Sequence, residues 1–289
     1  MKTCVSSYSF HKYIATGRMT QLDTVKAAKE LGFDAIEFAD IMPHDGSAPE
    51  DYARRLRDEA AAREMPIANF VFGGDLINGT GGRTPDEEVA HIKRMVDIGQ
   101  IFGVPTVRHD VVYTMGKYDS FNDMLPLLAH RVREIAEYAR TKHIKTCVEN
   151  HGFICQDPDR LVALFKAVDN DNFGLLCDMG NFLCVDAEPA PSVAMVAPYA
   201  AFVHAKDFYV RSKLADAPGA GFLVTRDGNY LKGTVVGHGD VPVRECLHIL
   251  KNAGYHGYVS IEFEGMEDNI MALEIGMENL KRMIKDLEQ

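Results

Sequence analysis

The feature that most limits what this chain can fold into is an alternation. Short apolar runs rich in Val, Ile and Phe recur at residues 3–7, 35–38, 67–72, 106–109, 145–149, 173–177, 202–205 and 258–263, and a longer helical pattern follows each. Runs this short and this continuously apolar suit strands buried on both faces. Among the helical patterns, 22–31 sets Leu22, Val25, Ala28 and Leu31 on one stripe, and 51–64 is charged outside and Ala/Leu-rich inside. The pattern at 84–102 opens on Thr84-Pro85-Asp86-Glu87, a capping residue, a first-turn proline and a glutamate three residues after the cap. Further helices are expected at 121–142, 158–168, 189–196, 242–253 and 268–287, three of them opening on proline. Glu30-Leu31-Gly32-Phe33 and Asn252-Ala253-Gly254-Tyr255 both place glycine where a helix hands over to a strand.

Eight strands, each followed by a helix, predict an α/β fold, a (β/α)8 TIM barrel, as a single domain spanning residues 1–289. A doubly wound open sheet competes, but no Gly-x-Gly-x-x-Gly turn follows the first run. No linker or low-complexity tract interrupts the alternation. The longest irregular stretch, 209–238, carries a candidate hairpin at Asp227-Gly228-Asn229 and falls on the face where barrel enzymes keep their sites.

Composition narrows the function. A net charge of −11 argues against nucleic acid or an anionic membrane as partner. No apolar run approaches the ~20 residues needed to span a bilayer, and the opening residues are too polar for a secretory signal. The six cysteines form no Cys-x-x-Cys pair, so buried free thiols in a reducing cytoplasm are expected, not a zinc ribbon.

In a barrel the C-terminal strand ends face one shared pocket. They deliver Glu37, Asn69, Arg108-His109-Asp110, Glu149-Asn150-His151, Asp178 with Asn181, His204 with Lys206-Asp207, and Glu262 with Glu264. One charged strand end is usually a solvated surface group. Four successive strands ending in Glu149, Asp178, His204 and Glu262 are another matter, because three crowded carboxylates repel unless a cation sits among them. Three carboxylates and one imidazole make a hard, oxygen-rich site for one divalent ion, Mn²⁺, Mg²⁺ or Co²⁺ ahead of a structural zinc, with Zn²⁺ a lesser candidate and no organic cofactor.

The motifs Glu149-Asn150-His151-Gly152, Asp178-Met179-Gly180-Asn181, His204-Ala205-Lys206-Asp207, Gly237-His238-Gly239-Asp240-Val241-Pro242 and Ile261-Glu262-Phe263-Glu264, with a weaker Leu31-Gly32-Phe33-Asp34-Ala35-Ile36-Glu37, give the chain its resemblance. It resembles the xylose-isomerase-like barrel superfamily, in its sugar phosphate isomerase/epimerase branch. The resemblance implies that Glu149, Asp178, His204 and Glu262 hold one divalent metal, commonly Mn²⁺. It also implies that Glu149 and Glu262 move protons on opposite faces of a metal-stabilised enediolate, formed by α-proton abstraction from a sugar or sugar derivative. Which glutamate is the base depends on the substrate and is left open.

His151 and Lys206 join the two glutamates as expected catalytic groups, a second acid and an oxyanion partner. Glu37, Asn69, Arg108, His109, His151, Asn181 and Lys206 form the expected substrate shell. Lys206-Asp207 as a plain ion pair, and Arg108 as a structural partner of the carboxylates, are the competing readings. His11 and His44, on loops over the mouth, stay open; His91, His130, His143, His248 and His256 read as surface residues. Asn181 stands where the ketose 3-epimerases carry a histidine, and an amide cannot carry a proton. Asn69 and Asn181 also stand where the related abasic-site endonucleases would need extra histidine ligands, so a nuclease is not expected.

The rival to an isomerase or epimerase is a lyase of the inosose-dehydratase or C-glycoside-cleaving kind on the same metal. A third reading is a silent barrel used for binding. The glycine-rich stretch 73–83 offers backbone amides that could cradle an anion, but Asp75 would repel phosphate, which favours a neutral sugar or glycoside among the sugars and keto-sugars expected as substrate. A homo-oligomer is expected, following the family and the general frequency of symmetric assemblies.

Overall fold

In the computed structural model, which describes residues 1–287, the strands are β1 (Lys2–Ser6), β2 (Ala35–Ala39), β3 (Ile67–Phe72), β4 (Thr106–His109), β5 (Lys145–Glu149), β6 (Phe173–Asp178), β7 (Ala200–Ala205), β8 (Asp207–Arg211), β9 (Leu223–Val224), β10 (Tyr230–Thr234) and β11 (Tyr258–Ile261). Eight of them close into a barrel in the order β1-β11-β7-β6-β5-β4-β3-β2, each paired in parallel with its neighbours. The helices are α1 (His11–Ala15), α2 (Gln21–Glu30), α3 (Pro49–Ala62), α4 (Pro85–Phe102), α5 (Phe121–Arg140), α6 (Pro158–Val168), α7 (Pro189–Val196), α8 (Val243–Asn252) and α9 (Asn269–Asp286). The fold is the single-domain TIM barrel that the alternation predicts.

The local signals act as expected. Thr84 and Glu87 form a reciprocal capping box at the start of α4. Gly32 and Gly254 adopt φ of 83° and 88°, the left-handed turn that a side chain resists. Most buried hydrophobes lie between strands and helices. A second, smaller apolar cluster of Cys4, Ala35, Ala68, Cys147, Leu176 and Phe202 lies apart from it. Ala35, Cys147, Leu176 and Phe202 stand two residues before Glu37, Glu149, Asp178 and His204 on the same strand faces. The strand period therefore lifts the four polar groups directly above this plug.

Two regions depart from the reading by eye. The chain after β1 forms a short 3₁₀ turn at Ser7–Phe10 and then α1, before α2 begins. The stretch 209–238 is largely ordered: β8, β10 and β9 make an antiparallel sheet, with the expected hairpin joining β9 to β10. Phe208 and Leu231 are buried there while Tyr209, Val210 and Val224 stay exposed. Gly233 lies so close to the Glu264 backbone that an added Cβ would come within 2.7 Å of it, which is why a glycine occupies this strand. All six cysteines are buried and unpaired. No helix among the described residues is long and apolar enough to cross a membrane.

Candidate metal centre

Glu149 ends β5, Asp178 ends β6, His204 lies near the end of β7, and Glu262 follows β11. One ligand atom from each falls within 4.8 Å of the other three. His204 Nδ1 lies 3.6 Å from Glu149 Oε1, 3.8 Å from Asp178 Oδ2 and 3.7 Å from Glu262 Oε2. The opposite ring nitrogen, Nε2, sits 2.7 Å from Glu37 Oε1. That approach is off the ring's N–H axis, so it is a charge contact and not a straight hydrogen bond. Glu37 is itself fixed from below, accepting from Ser260 Oγ (2.9 Å) and Asn69 Nδ2 (3.1 Å). The Glu37 carboxylate thus stands behind the imidazole on its Nε2 side, and Nδ1 faces the centre.

The carboxylates are divided in the same way. Asp178 Oδ1 accepts from the amides of Gly180 (2.7 Å) and Asn181 (2.8 Å), while the buried Oδ2 has no hydrogen-bond partner. Glu149 Oε2 is 2.7 Å from Arg108 Nε, and its Oε1 accepts from Asn181 Nδ2 (2.9 Å). Glu262 Oε2 pairs with Lys206 Nζ at 2.6 Å, and Lys206 also reaches Glu264 and Asn181 at 3.1 Å. Burial works against the Glu149 carboxylate, but Arg108 and His204 outweigh it and hold its pKa well below the usual range. At Asp178 burial wins, with Glu149 adding to it against Lys206, and the carboxyl is pushed up to about 6.

Two buried orphan atoms, Asp178 Oδ2 and His204 Nδ1, thus face one point together with two glutamate oxygens. Three carboxylates and a neutral imidazole are the donor set of a hard divalent ion, and the cluster fits one.

Beside the centre opens a cavity of about 260 Å³ whose wall includes Tyr8, Asp40, Phe72, Gly73, Arg108, Asp110, Tyr113, His151 and Glu264 along with Glu149 and Glu262. His151 Nδ1 donates to Asp110 Oδ1 (3.0 Å), and Asp110 also takes Tyr113 Oη (2.7 Å) and Arg108 Nη2 (2.7 Å). Burial alone would lower the His151 pKa, but Asp110 raises it above the ordinary histidine value.

The predicted shell separates into three groups. Arg108 and His151 lie on the cavity wall. Asn181 and Lys206 brace the ligands, and Lys206 pairs with Glu262 and Glu264, not with Asp207. Asp207 instead accepts from the amides of Gly237 (2.8 Å), Gly239 (2.9 Å) and Val241 (3.1 Å), folding that motif into a strap. Glu37 and Asn69 sit below the centre, and His109 is fully buried with Nδ1 donating to the Asp110 carbonyl (2.9 Å); none of the three is on the cavity wall. Of the two open histidines, His11 stacks on Tyr8 and His44 packs on Tyr52.

The glycine-rich stretch is closed on itself. Asp75 accepts from the amides of Ile77, Asn78 and Tyr113, and Arg83 is paired with Glu88. Asp110 and Asn150, which the strand ends deliver but which have no role in the predicted shell, prove to be structural partners: Asp110 holds Arg108 and His151, and Asn150 clamps the β6 end through the Asp178 amide (2.9 Å) and carbonyl (2.8 Å). Both stand inside motifs already singled out. Tyr113 and Ser260 carry no such signal.

A closed parallel barrel with an acidic, histidine-containing centre at its mouth defines a class of metal-site barrels. The chain belongs to the xylose isomerase-like TIM barrel family, whose model matches residues 25–283. The inosose dehydratase of Yersinia enterocolitica is 25% identical over 244 residues, 81% of this chain and 78% of that protein. A D-tagatose 3-epimerase-like protein superposes with a TM-score of 0.74 at 20% identity, covering 100% of this chain and 98% of its own. The IOLI protein with a bound zinc atom superposes with a TM-score of 0.76 at 17% identity, covering 99% of each chain.

Proposed function

We propose that this protein is a divalent-metal-dependent isomerase or epimerase of a sugar or sugar derivative. The observation that carries the reading is the pair Glu149 and Glu262, contributed by different strands to one centre and each held against its own cation, Arg108 or Lys206. Glu149, Asp178, His204 and Glu262 would hold one divalent ion, Mn²⁺ in our reading, which would supply Lewis acidity toward a keto-sugar carbonyl. One glutamate removes the α-proton and the other returns a proton to the opposite face. Their ion pairs keep both ionised at neutral pH, and such positioned groups are worth about 10²–10⁴-fold. Lys206, 2.6 Å from Glu262, acts by holding that glutamate in place and ionised. The substrate is a small keto-sugar, the partner in solution a second copy of the chain, and the compartment the cytoplasm, in keeping with the unpaired cysteines.

A lyase is the second reading, favoured by the Asp110–His151 pair on the cavity wall and by the dehydratase relative. There His151 delivers a proton to a departing β-hydroxyl after the same α-proton is removed. Incubating metal-replete protein with keto-sugars in D₂O separates the two. Deuterium in an isomeric sugar supports the epimerase, and release of water supports the lyase. The absence of exchange on every keto-sugar tried, at full metal occupancy, overturns both.

A further inference from the structure

The carboxylates of the cavity wall are not equivalent. Asp110 is taken by Arg108, His151 and Tyr113, Glu149 by Arg108 and Asn181, and both Glu262 and Glu264 by Lys206. Asp40 also lines the cavity, and no group among the described residues donates to its carboxylate.

The backbone shows that this placement is built. Glu37 and Ala39 share one face of β2, so a strand continued regularly would turn residue 40 to the opposite face. Instead Asp40 adopts φ of 54°, a left-handed conformation that a residue with a side chain seldom takes. The conformation is locked on both sides. The Asp40 amide donates to the Val71 carbonyl (2.8 Å), and its own carbonyl accepts from Nε2 of the buried Gln21 (2.9 Å). Burial raises the Asp40 pKa, and the charges acting on it are those of Arg108 and Asp110, both on the same wall.

The cationic groups around the cavity are already paired with protein carboxylates, His151 with Asp110 included. Arg108 and Lys206 are each engaged by more than one protein carboxylate, and the amides that might have cradled a phosphate are capped by Asp75.

We propose that Asp40 is a specificity-determining residue, accepting hydrogen bonds from hydroxyls at the end of the substrate away from the metal centre and repelling phosphate or carboxylate groups there. The inference rests on the keto-sugar reading above and adds the group that selects among keto-sugars. A carboxylate on the cavity wall is a strong hydroxyl acceptor, and Asp40 is exposed there, open to a substrate hydroxyl.

The experiment compares zinc-loaded wild type, Asp40→Asn and Asp40→Lys. Metal content is measured for each, and affinity for D-fructose, D-fructose 6-phosphate and inorganic phosphate is read by calorimetry and saturation-transfer NMR. Asparagine tolerates the left-handed backbone and nearly preserves the shape, so that variant tests the charge even if the lysine variant folds poorly. We expect wild type to bind D-fructose at least about tenfold more tightly than its 6-phosphate, and Asp40→Asn to lose about tenfold of the D-fructose affinity at unchanged metal content. Asp40→Lys gains at least about tenfold toward the 6-phosphate and toward inorganic phosphate. Equal or tighter binding of the 6-phosphate by wild type overturns the proposal, as does D-fructose affinity that Asp40→Asn leaves unchanged. Failure of the wild type to hold metal counts against the catalytic reading instead, so the two failures are told apart.

Discussion

His204 acquires its role from what stands behind it. The ring is fully buried, with Glu37 against Nε2 and Nδ1 facing Glu149, Asp178 and Glu262. Replacing Glu37 by Gln is therefore expected to weaken metal binding about 10–100-fold with the barrel intact, measured by chelator competition alongside circular dichroism. Glu149→Gln and Glu262→Gln test a different property. At metal concentrations that restore full occupancy, each should lose about 10²-fold or more in α-deuterium exchange; exchange retained by either variant removes that glutamate from proton transfer. His109 makes the contrast with His204. Burial drives its pKa down to about 4, and the upward pull of Asp110, opposed by Arg108, does not make up for it. A histidine near 6.5 when unfolded and near 4 when folded contributes fully above pH 6.5 and loses that contribution as pH falls toward 4, by about 3 kcal/mol in all. Urea melts across this window should show the wild type losing stability more steeply than His109→Gln. Parallel slopes would mean that the ring is not held neutral.

The elements show which local signals suffice. The capping box of α4, the prolines opening α6 and α7, and the glycines closing α2 and α8 are all readable within a few residues, because the groups they satisfy are local backbone N–H and C=O groups. The sheet of β8, β9 and β10 was not readable in that way. Phe208 faces Gly233, a partner 25 positions on, and only the pairing buries it. Asp207 is the residue most open to misreading. It looks like half of an ion pair with Lys206, yet it caps three amides of the Gly237–Val241 strap. Asp207→Ala leaves those amides, of which only that of Val241 is buried, without their acceptor and is expected to cost roughly 1–3 kcal/mol in a urea melt, whereas a surface ion pair would cost less than about 1 kcal/mol.

At the scale of the whole molecule, the barrel makes one electrostatic centre out of residues spread from Glu37 to Glu262. A dication that binds only the folded chain should raise stability by about 2.7 kcal/mol at 100 times its dissociation constant. Chelator should reverse the gain, and the thermal midpoint with and without metal reads it directly. An unchanged midpoint with metal in excess would deny the cluster its role. The candidate ligand set was legible from one dimension because strand alternation and the common polarity of barrel strands place every strand end at the same mouth. Eight apolar runs with intervening helices, and Glu149, Asp178, His204 and Glu262 at successive strand ends, thus follow from periodicity alone. What tertiary structure decided is the partnership of each group. Glu37 lies under His204, Asp110 behind His151, Asn181 between Glu149 and Lys206, and Asp40 faces the cavity unpaired. Those contacts join residues far apart in the chain, and their distances are set only when the barrel closes.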